Sequence, residues 1–204
     1  MKKITVIIIG LFALVVFNAT PKDEEILNEN CYNTTQLATV LTLEESNNRI
    51  EIPFIGKSFI GFTQAVGFKE SRNRYHIVNK FGYLGKYQFG KSTLRRLKIR
   101  NIEGFLRNPQ QQEKAFKALC SLNKHILRKD IKRSVGKEIN GILITESGIL
   151  AAAHLSGAGN VKKFLRSNGS FNKSDAFGTS IQNYMKRFSG YDVSLIEANK
   201  NPVI

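Results

Sequence analysis

The amino-acid sequence predicts a mainly α-helical fold in a single domain. Apolar residues recur at intervals of three and four along several stretches, as they do on the buried face of a helix. Residues that cap or end helices separate these stretches, and few segments show the alternating pattern of a half-buried strand. With 204 residues, the chain is long enough to bury a sizeable core.

The chain begins with the pattern of a signal peptide at 1–19. A short basic start precedes Ile4 to Phe17, a stretch without charge that is too short for a comfortable membrane span. We therefore expect an exported protein of the periplasm or cell envelope, or a secreted one, with no stable transmembrane span after signal removal. An uncleaved N-terminal anchor is the alternative. Residues 20–52 are predicted as a polar N-terminal extension, 53–192 as the folded domain and 193–204 as a C-terminal tail.

The first predicted helix spans about 59–71, where Ser58 provides an N-cap. Residues 72–90 mix glycine and asparagine with aromatic residues, which indicates a short irregular or hairpin segment after that helix. A second helix is expected over 92–99, and another short turn over 102–107.

The longest predicted helix covers 110–133, because Pro109 suits a helix start and apolar residues follow at helical spacing. Gly136 ends this helix. The apolar residues of 139–144 are expected to form a short strand pair or an extended turn.

Three further helices complete the prediction. Thr145 caps a buried apolar helix, which is broken by the glycines of 157–159. Another helix starts at 161–165, and the last, an amphipathic one, spans about 179–188.

The chain is strongly basic, with a formal net charge of +15. Basic residues are concentrated at 91–100, 124–133 and 162–163. Such a balance favours polyanionic surroundings, and export makes nucleic acid the weaker choice. We therefore expect anionic envelope polymers as partners, and no nucleic acid. A simple solvated basic surface is the alternative.

Two cysteines are present, and they permit two readings. Cys31 and Cys120 can form a disulfide in an oxidising compartment, or Cys120 is a buried apolar residue and Cys31 is free. The sequence has no CxxC motif and no His/Cys cluster, so we predict neither a metal site nor a cofactor.

Glu70 is the strongest candidate for chemistry. It lies at the end of the first predicted helix, separated by Lys69 from the uncharged stretch 63–68. Apolar surroundings disfavour the ionised form of a carboxyl group, and a carboxyl that keeps its proton can serve as the general acid in glycosidic bond cleavage. An exposed carboxylate at a helix end is the alternative.

Short motifs that follow one another along the chain carry a resemblance to a known family. They are Glu70-Ser71, Gly85-Lys86-Tyr87-Gln88, the segment from Ala153 to Gly159, and Tyr184. In this order they resemble the signatures of the soluble lytic transglycosylase and goose-type lysozyme superfamily, over roughly 59–188. The resemblance implies a lysozyme-like fold and the glycan strand of peptidoglycan as substrate.

The resemblance also implies roles for individual residues. Glu70 matches the catalytic acid/base, Ser71 the serine that helps to orient it, and Tyr184 a tyrosine whose hydroxyl reaches the catalytic carboxyl. The aromatic cluster of Tyr75, Tyr83 and Tyr87 near the acid suits sugar stacking, although packing is an alternative for these rings. The predicted substrate-binding residues are Ser71, Tyr75, Gly85, Tyr87, Gln88, His154, Ser156, Gly157 and Tyr184.

Two departures from the family pattern affect the sugar contacts. Lys86-Tyr87 replaces a common Leu-Met, and His154-Leu155 replaces a common Tyr-Asn. Purely structural readings are the alternatives for Tyr87 and Tyr184, as packing residues, and for Gly157, as a helix stop. His154 on an alanine-rich helix is typical of a core histidine with satisfied hydrogen bonds.

The number of carboxylates bears on the mechanism, because most glycosidases use two. The acids after Glu70 are Glu103, Glu113, Asp130, Glu138, Glu146, Asp175, Asp192 and Glu197. Most of them lie in charged or capping contexts typical of the surface. Asp175 is the best candidate for a second carboxylate, with helix capping as its alternative role.

Without a convincing second carboxylate, a mechanism with one acid/base is favoured. The resemblance implies a lytic transglycosylase that cleaves the MurNAc-GlcNAc β-1,4 bond and forms a 1,6-anhydro product. A hydrolytic muramidase, a non-catalytic glycan-binding protein and a basic nucleic-acid-binding protein are the alternatives.

Overall fold

The computed structural model describes residues 55–174 and 178–204. The predicted signal peptide, the N-terminal extension, Cys31 and Asp175 lie outside these residues. Within them, no helix combines the length and apolar character needed to cross a membrane.

The described residues form seven α-helices and one small antiparallel sheet, which confirms the mainly α-helical prediction. The elements are α1 (Phe59–Ser71), α2 (Lys91–Arg96), α3 (Ile102–Leu106), α4 (Pro109–Ser134), β1 (Glu138–Ile139), β2 (Ile142–Leu143), α5 (Glu146–Ser156), α6 (Ala158–Arg166) and α7 (Ile181–Arg187). Helix α5 packs against α4, α6 and α7, and its side chains from Ile149 to Ala153 are buried in the core.

Helix α1 has the bounds that the sequence predicts. The Ser58 hydroxyl accepts a hydrogen bond from the Gly61 amide at 3.1 Å, which satisfies one of the free donors of the first turn. Arg72 adopts the left-handed conformation, with φ of 58°, and ends the helix immediately after Ser71. These two local features place Glu70 in the last turn.

The segment 72–90 is irregular, as predicted, with isolated antiparallel bridges in place of regular strands. Leu84 pairs with both Val78 and Phe89. Leu84, Tyr87 and Phe89 are nearly inaccessible to solvent, so the segment is packed firmly on the helices. The Ser71 hydroxyl, in the last turn of α1, donates to the Lys86 carbonyl, so the segment lies against the end of the helix that carries Glu70.

Helix α4 also starts where the sequence predicts. The Asn108 side chain accepts a hydrogen bond from the Gln111 amide at 2.9 Å, and Pro109 occupies the first turn. The helix ends at Ser134, and the following strands pair Glu138 with Leu143 in an antiparallel register. Of the two readings for 139–144, the structure therefore has the strand pair.

Three other helix predictions need correction at their ends. Helix α2 ends at Arg96 instead of residue 99, and Lys98 beyond it has a positive φ of 62°. Helix α6 starts at Ala158 instead of 161, because the turn needs only Gly157, with its φ of 81°. Helix α7 is shorter than predicted because its N-cap is Ser180.

The middle of α4 and the segment that follows α7 both contribute side chains to the core. Cys120 is buried and forms no disulfide with any described residue, and burial raises the pKa of its thiol well above the usual range. Val193 and Ile196, in the segment predicted as a tail, are buried in the core. That segment is also tied to α4, since the Ser121 hydroxyl donates to the Glu197 carbonyl at 2.5 Å.

Most of the described acids after Glu70 are exposed, as predicted, but Asp130 on α4 is buried. Its side chain is 1% exposed and forms ion pairs with Arg133 and Arg166. Burial alone would raise the pKa of Asp130, but hydrogen bonds from Arg166 and Arg133 outweigh it and lower the pKa below its usual value. The ion pair with Arg166 fastens α6 to α4, whereas the pair with Arg133 lies within α4.

This arrangement predicts a pH dependence of stability. A lowered carboxyl pKa stabilises the fold above the unfolded-state pKa, about 4, and this stabilisation is lost as the pH falls below that value. We expect Asp130→Asn to be less stable than the wild type at pH 7 and the difference to narrow in acid. Urea unfolding between pH 7 and 3 measures this, with the exposed Glu138→Gln as control. A constant difference across this range would contradict the assignment.

Candidate active site

Glu70 opens onto a groove of about 970 Å³. The groove is lined by the end of α1, the irregular segment, α2, the middle of α4 and the junction of α5 with α6. Glu70 is the one Asp or Glu among the lining residues in the described part of the chain. The part of the groove formed by the described residues therefore presents a single carboxyl group to a ligand.

The structure brings Tyr184 to Glu70, although 114 residues separate them. Tyr184 lies on α7, its ring is 1% exposed, and its hydroxyl donates a hydrogen bond to Glu70 Oε1. The ring also packs against Phe188, with centroids 4.9 Å apart. The buried Tyr184 phenol therefore holds the Glu70 carboxyl in one orientation. Its hydrogen bond engages Oε1 and leaves the second carboxyl oxygen, Oε2, outside this contact.

Ser71 connects α1 to the irregular segment. Its buried hydroxyl donates to the Lys86 carbonyl at 2.8 Å and accepts from the Arg74 amide at 3.0 Å. The side chain does not line the groove. Its contacts indicate that Ser71 positions the segment next to Glu70 without touching a ligand.

Gly85 and Gln88 shape the same segment. Gly85 has a φ of 72°, and a Cβ at this position would lie 2.2 Å from Gln112 Oε1. That oxygen accepts a hydrogen bond from the Lys86 amide at 2.9 Å, so the close approach is needed. Gln88 also has a positive φ, of 50°, and its amide donates to the Gly85 carbonyl at 2.8 Å. Of these residues, Gln88 lines the groove.

Tyr75 and Tyr87 do not line the groove, and both donate to Glu113 on α4. The Tyr75 hydroxyl lies 2.7 Å from Glu113 Oε1, and the Tyr87 hydroxyl 2.5 Å from Glu113 Oε2. Burial, together with the hydrogen bond and charge of Glu113, raises the pKa of Tyr75 to about 12. The same causes raise the pKa of Tyr87 further. Both phenols therefore keep their protons and donate.

Lys86 completes this cluster beneath the groove. Its side chain is 0% exposed, and Nζ lies 2.7 Å from Glu113 Oε1. One carboxylate, that of Glu113, thus contacts the side chains of both Lys86 and Tyr87. No local pattern reveals this, because Glu113 lies 26 and 27 residues further along the chain.

His154 lies between this cluster and the groove. Its Nε2 donates to the Tyr87 carbonyl at 2.7 Å, while its buried Nδ1 has no hydrogen-bond partner among the described residues. The imidazole lines the groove, and so does Gly157. The Ser156 hydroxyl instead donates to the Ala152 carbonyl at 3.1 Å and does not line the groove.

Aromatic and amide side chains supply the rest of the groove surface. Phe81 and Tyr83 are 52% and 46% exposed and line it, whereas sequence reasoning named Tyr83 and missed Phe81. Asn123 on α4 lines it too, and its buried Nδ2 lacks a hydrogen-bond partner within the described ranges. Exposed rings beside unpaired amide donors are typical of sugar-binding surfaces, because sugars offer both apolar faces and hydroxyls.

No family model, curated protein or solved structure matches the chain. The resemblance to the lytic transglycosylase and goose-type lysozyme superfamily therefore stays a prediction from the motifs.

The chemistry of the groove can still be read from its residues. A carboxyl group held by a phenol can donate and accept a proton at one position in turn. Among residues 55–174 and 178–204, no group of three His, Cys, Asp or Glu side chains could hold a metal ion. A carboxyl group beside exposed rings and amide groups is an arrangement able to carry out acid/base chemistry on a sugar.

Proposed function

We propose that this chain is an exported peptidoglycan lytic transglycosylase, which cleaves the MurNAc-GlcNAc β-1,4 bond and forms a 1,6-anhydro product. The observation that carries the proposal is the single carboxyl group of the groove, Glu70, with the Tyr184 hydroxyl donating to it. Hydrolytic enzymes of this class commonly need a second carboxylate across the scissile bond. Within the described residues, the groove offers none.

The reaction needs one proton carrier. Protonated Glu70 donates its proton to the glycosidic oxygen as the C1–O4 bond breaks. The 6-hydroxyl oxygen of the same MurNAc then bonds to C1, and its proton passes to the Glu70 carboxylate, which restores the acid. No water is consumed, so the two products together have the composition of the substrate.

The other lining residues provide sites for the sugar rings. Phe81 and Tyr83 offer exposed faces for stacking, and Gln88 and Asn123 offer amide groups for sugar hydroxyls. His154 holds the backbone at Tyr87 and so fixes the neighbouring Gln88. The geometry of the groove thus depends on contacts within the domain as well as on the residues that meet the substrate.

Digestion of purified peptidoglycan tests the proposal. We expect muropeptides with anhydro ends, one water lighter than hydrolytic products and resistant to borohydride reduction. Products with reducible ends would establish a hydrolase and contradict the proposed outcome. Asp175→Asn tests whether a second carboxylate takes part. This variant is expected to give the same anhydro products at a similar rate, because the proposed reaction needs only the Glu70 carboxyl. A large loss of rate in Asp175→Asn would show that a second acid takes part.

A further inference from the structure

A second concave surface lies beside the groove, and it is strongly basic. This basic cleft has a volume of about 680 Å³. Six cationic or ionisable side chains line it: Arg96, Lys98, His125, Arg128, Lys162 and Lys200. No Asp or Glu lines it in the described part of the chain.

The fold assembles this cleft from all three basic stretches of the sequence. Arg96 and Lys98 come from 91–100, Arg128 from 124–133, and Lys162 from 162–163, although these stretches are far apart along the chain. A basic surface that served only solubility would not require the stretches to meet. Their convergence brings like charges together, which is unfavourable in the absence of an anionic ligand.

The cations of the cleft also lack acidic partners in the described part of the chain. None of its Arg and Lys side chains forms an ion pair with a residue of 55–174 or 178–204. The same ranges contain acids that pair with other cations, as Asp130 does with Arg166. The cleft therefore retains its positive potential for a ligand.

The cleft is continuous with the proposed catalytic groove. Arg96, Leu122 and Ile126 line both surfaces. A polymer whose glycan occupies the groove can therefore reach the cleft with a branch or a neighbouring chain. This continuity is the reason to connect the ligand of the cleft with the cell wall.

We propose that the basic cleft binds a linear phosphodiester polymer of the cell wall, next to the glycan strand in the groove. The inference rests on the proposed function, since that function supplies the wall as the setting. A polymer with one negative charge on each repeat can contact several of the cleft cations at once. A ligand with a single carboxylate can contact fewer of them. Nucleic acid fits less well, because no Phe, Tyr or Trp among the described residues lines the cleft to stack on bases.

Binding of the full chain to a labelled glycerol-phosphate oligomer tests the proposal. We expect binding, measured by fluorescence anisotropy, that weakens steeply between 50 and 200 mM salt, because bound polyanions release counterions at roughly 0.7 per contact. Lys162→Gln with Lys200→Gln removes two cleft cations and is expected to weaken binding roughly fivefold at low salt. Both side chains lie outside the groove lining, so cleavage of wall glycan without the polymer should not change.

The matched control is Lys114→Gln with Lys117→Gln. These lysines are exposed on α4 and line neither the groove nor the cleft. Their replacement lowers the net charge by the same amount as the replacement of Lys162 and Lys200. Equal weakening by the two double variants, or no weakening by the cleft variant, would overturn the site. Tighter binding to single-stranded DNA of equal charge would assign the cleft to nucleic acid, and equal binding to polyglutamate would exclude selection for phosphate.

The outcome is independent of catalysis. Glu70→Gln is expected to bind the oligomer as the wild type does, since Glu70 does not line the cleft. A wild-type protein that binds the oligomer but does not cleave glycan would contradict the proposed function alone. A wild-type protein that cleaves glycan but does not bind the oligomer would contradict this inference alone.

Discussion

Replacement of Glu70 by Gln is expected to reduce the rate of glycan cleavage about 1,000-fold or more. General acid-base catalysis commonly contributes 10²- to 10⁴-fold, and here one group would serve both proton transfers. The amide oxygen of glutamine can still accept the hydrogen bond of Tyr184, so the fold and the groove should be retained. The measurement is the initial rate of release of soluble muropeptides from purified wall.

Glu138→Gln provides the control for this prediction. Glu138 is exposed on β1 and does not line the groove, so this variant should cleave glycan at the wild-type rate. Equal cleavage by Glu70→Gln and the wild type would refute the catalytic role. If the wild type binds glycan and does not cleave it, the non-catalytic alternative is correct.

The parts of the fold that could be predicted from sequence are those set by local features. Ser58 caps α1 and Pro109 begins α4, and both act within one helical turn of their own position. The end of α2 and the start of α6 were misplaced by about three residues. These two helix ends depend on the positive φ angles of Lys98 and Gly157, which residue type alone does not specify.

The candidate site divides in the same way. Glu70 could be singled out from the apolar helix that precedes it, and the motifs pointed to Tyr184 as its partner. Tyr75 and Tyr87 were assigned to the substrate, yet their hydroxyls bind Glu113. Residues that meet only in the folded chain leave no periodic signal, and the convergence of the basic stretches on one cleft was hidden for the same reason.

The second large expected effect concerns the ion pair beneath the groove. Glu113→Gln should lower the free energy of unfolding by about 2–4 kcal/mol, because it leaves the Lys86 ammonium buried without its opposite charge. Lys86→Met should lower the free energy of unfolding by a smaller amount. Glu113 is 35% exposed and would keep the hydrogen bonds from Tyr75 and Tyr87. Urea unfolding at pH 7 measures both changes.

The double variant separates the ion pair from general packing. If the charges stabilise each other, Lys86→Met with Glu113→Gln should be less destabilised than the sum of the single variants, by about 1 kcal/mol or more. Strict additivity would show that the pair is not coupled. Glu103→Gln removes one partner of the exposed Arg107 pair and should change stability by less than about 1 kcal/mol, because water already screens those charges. Since Lys86 and Tyr87 directly precede Gln88, loss of this pair should also displace the groove wall.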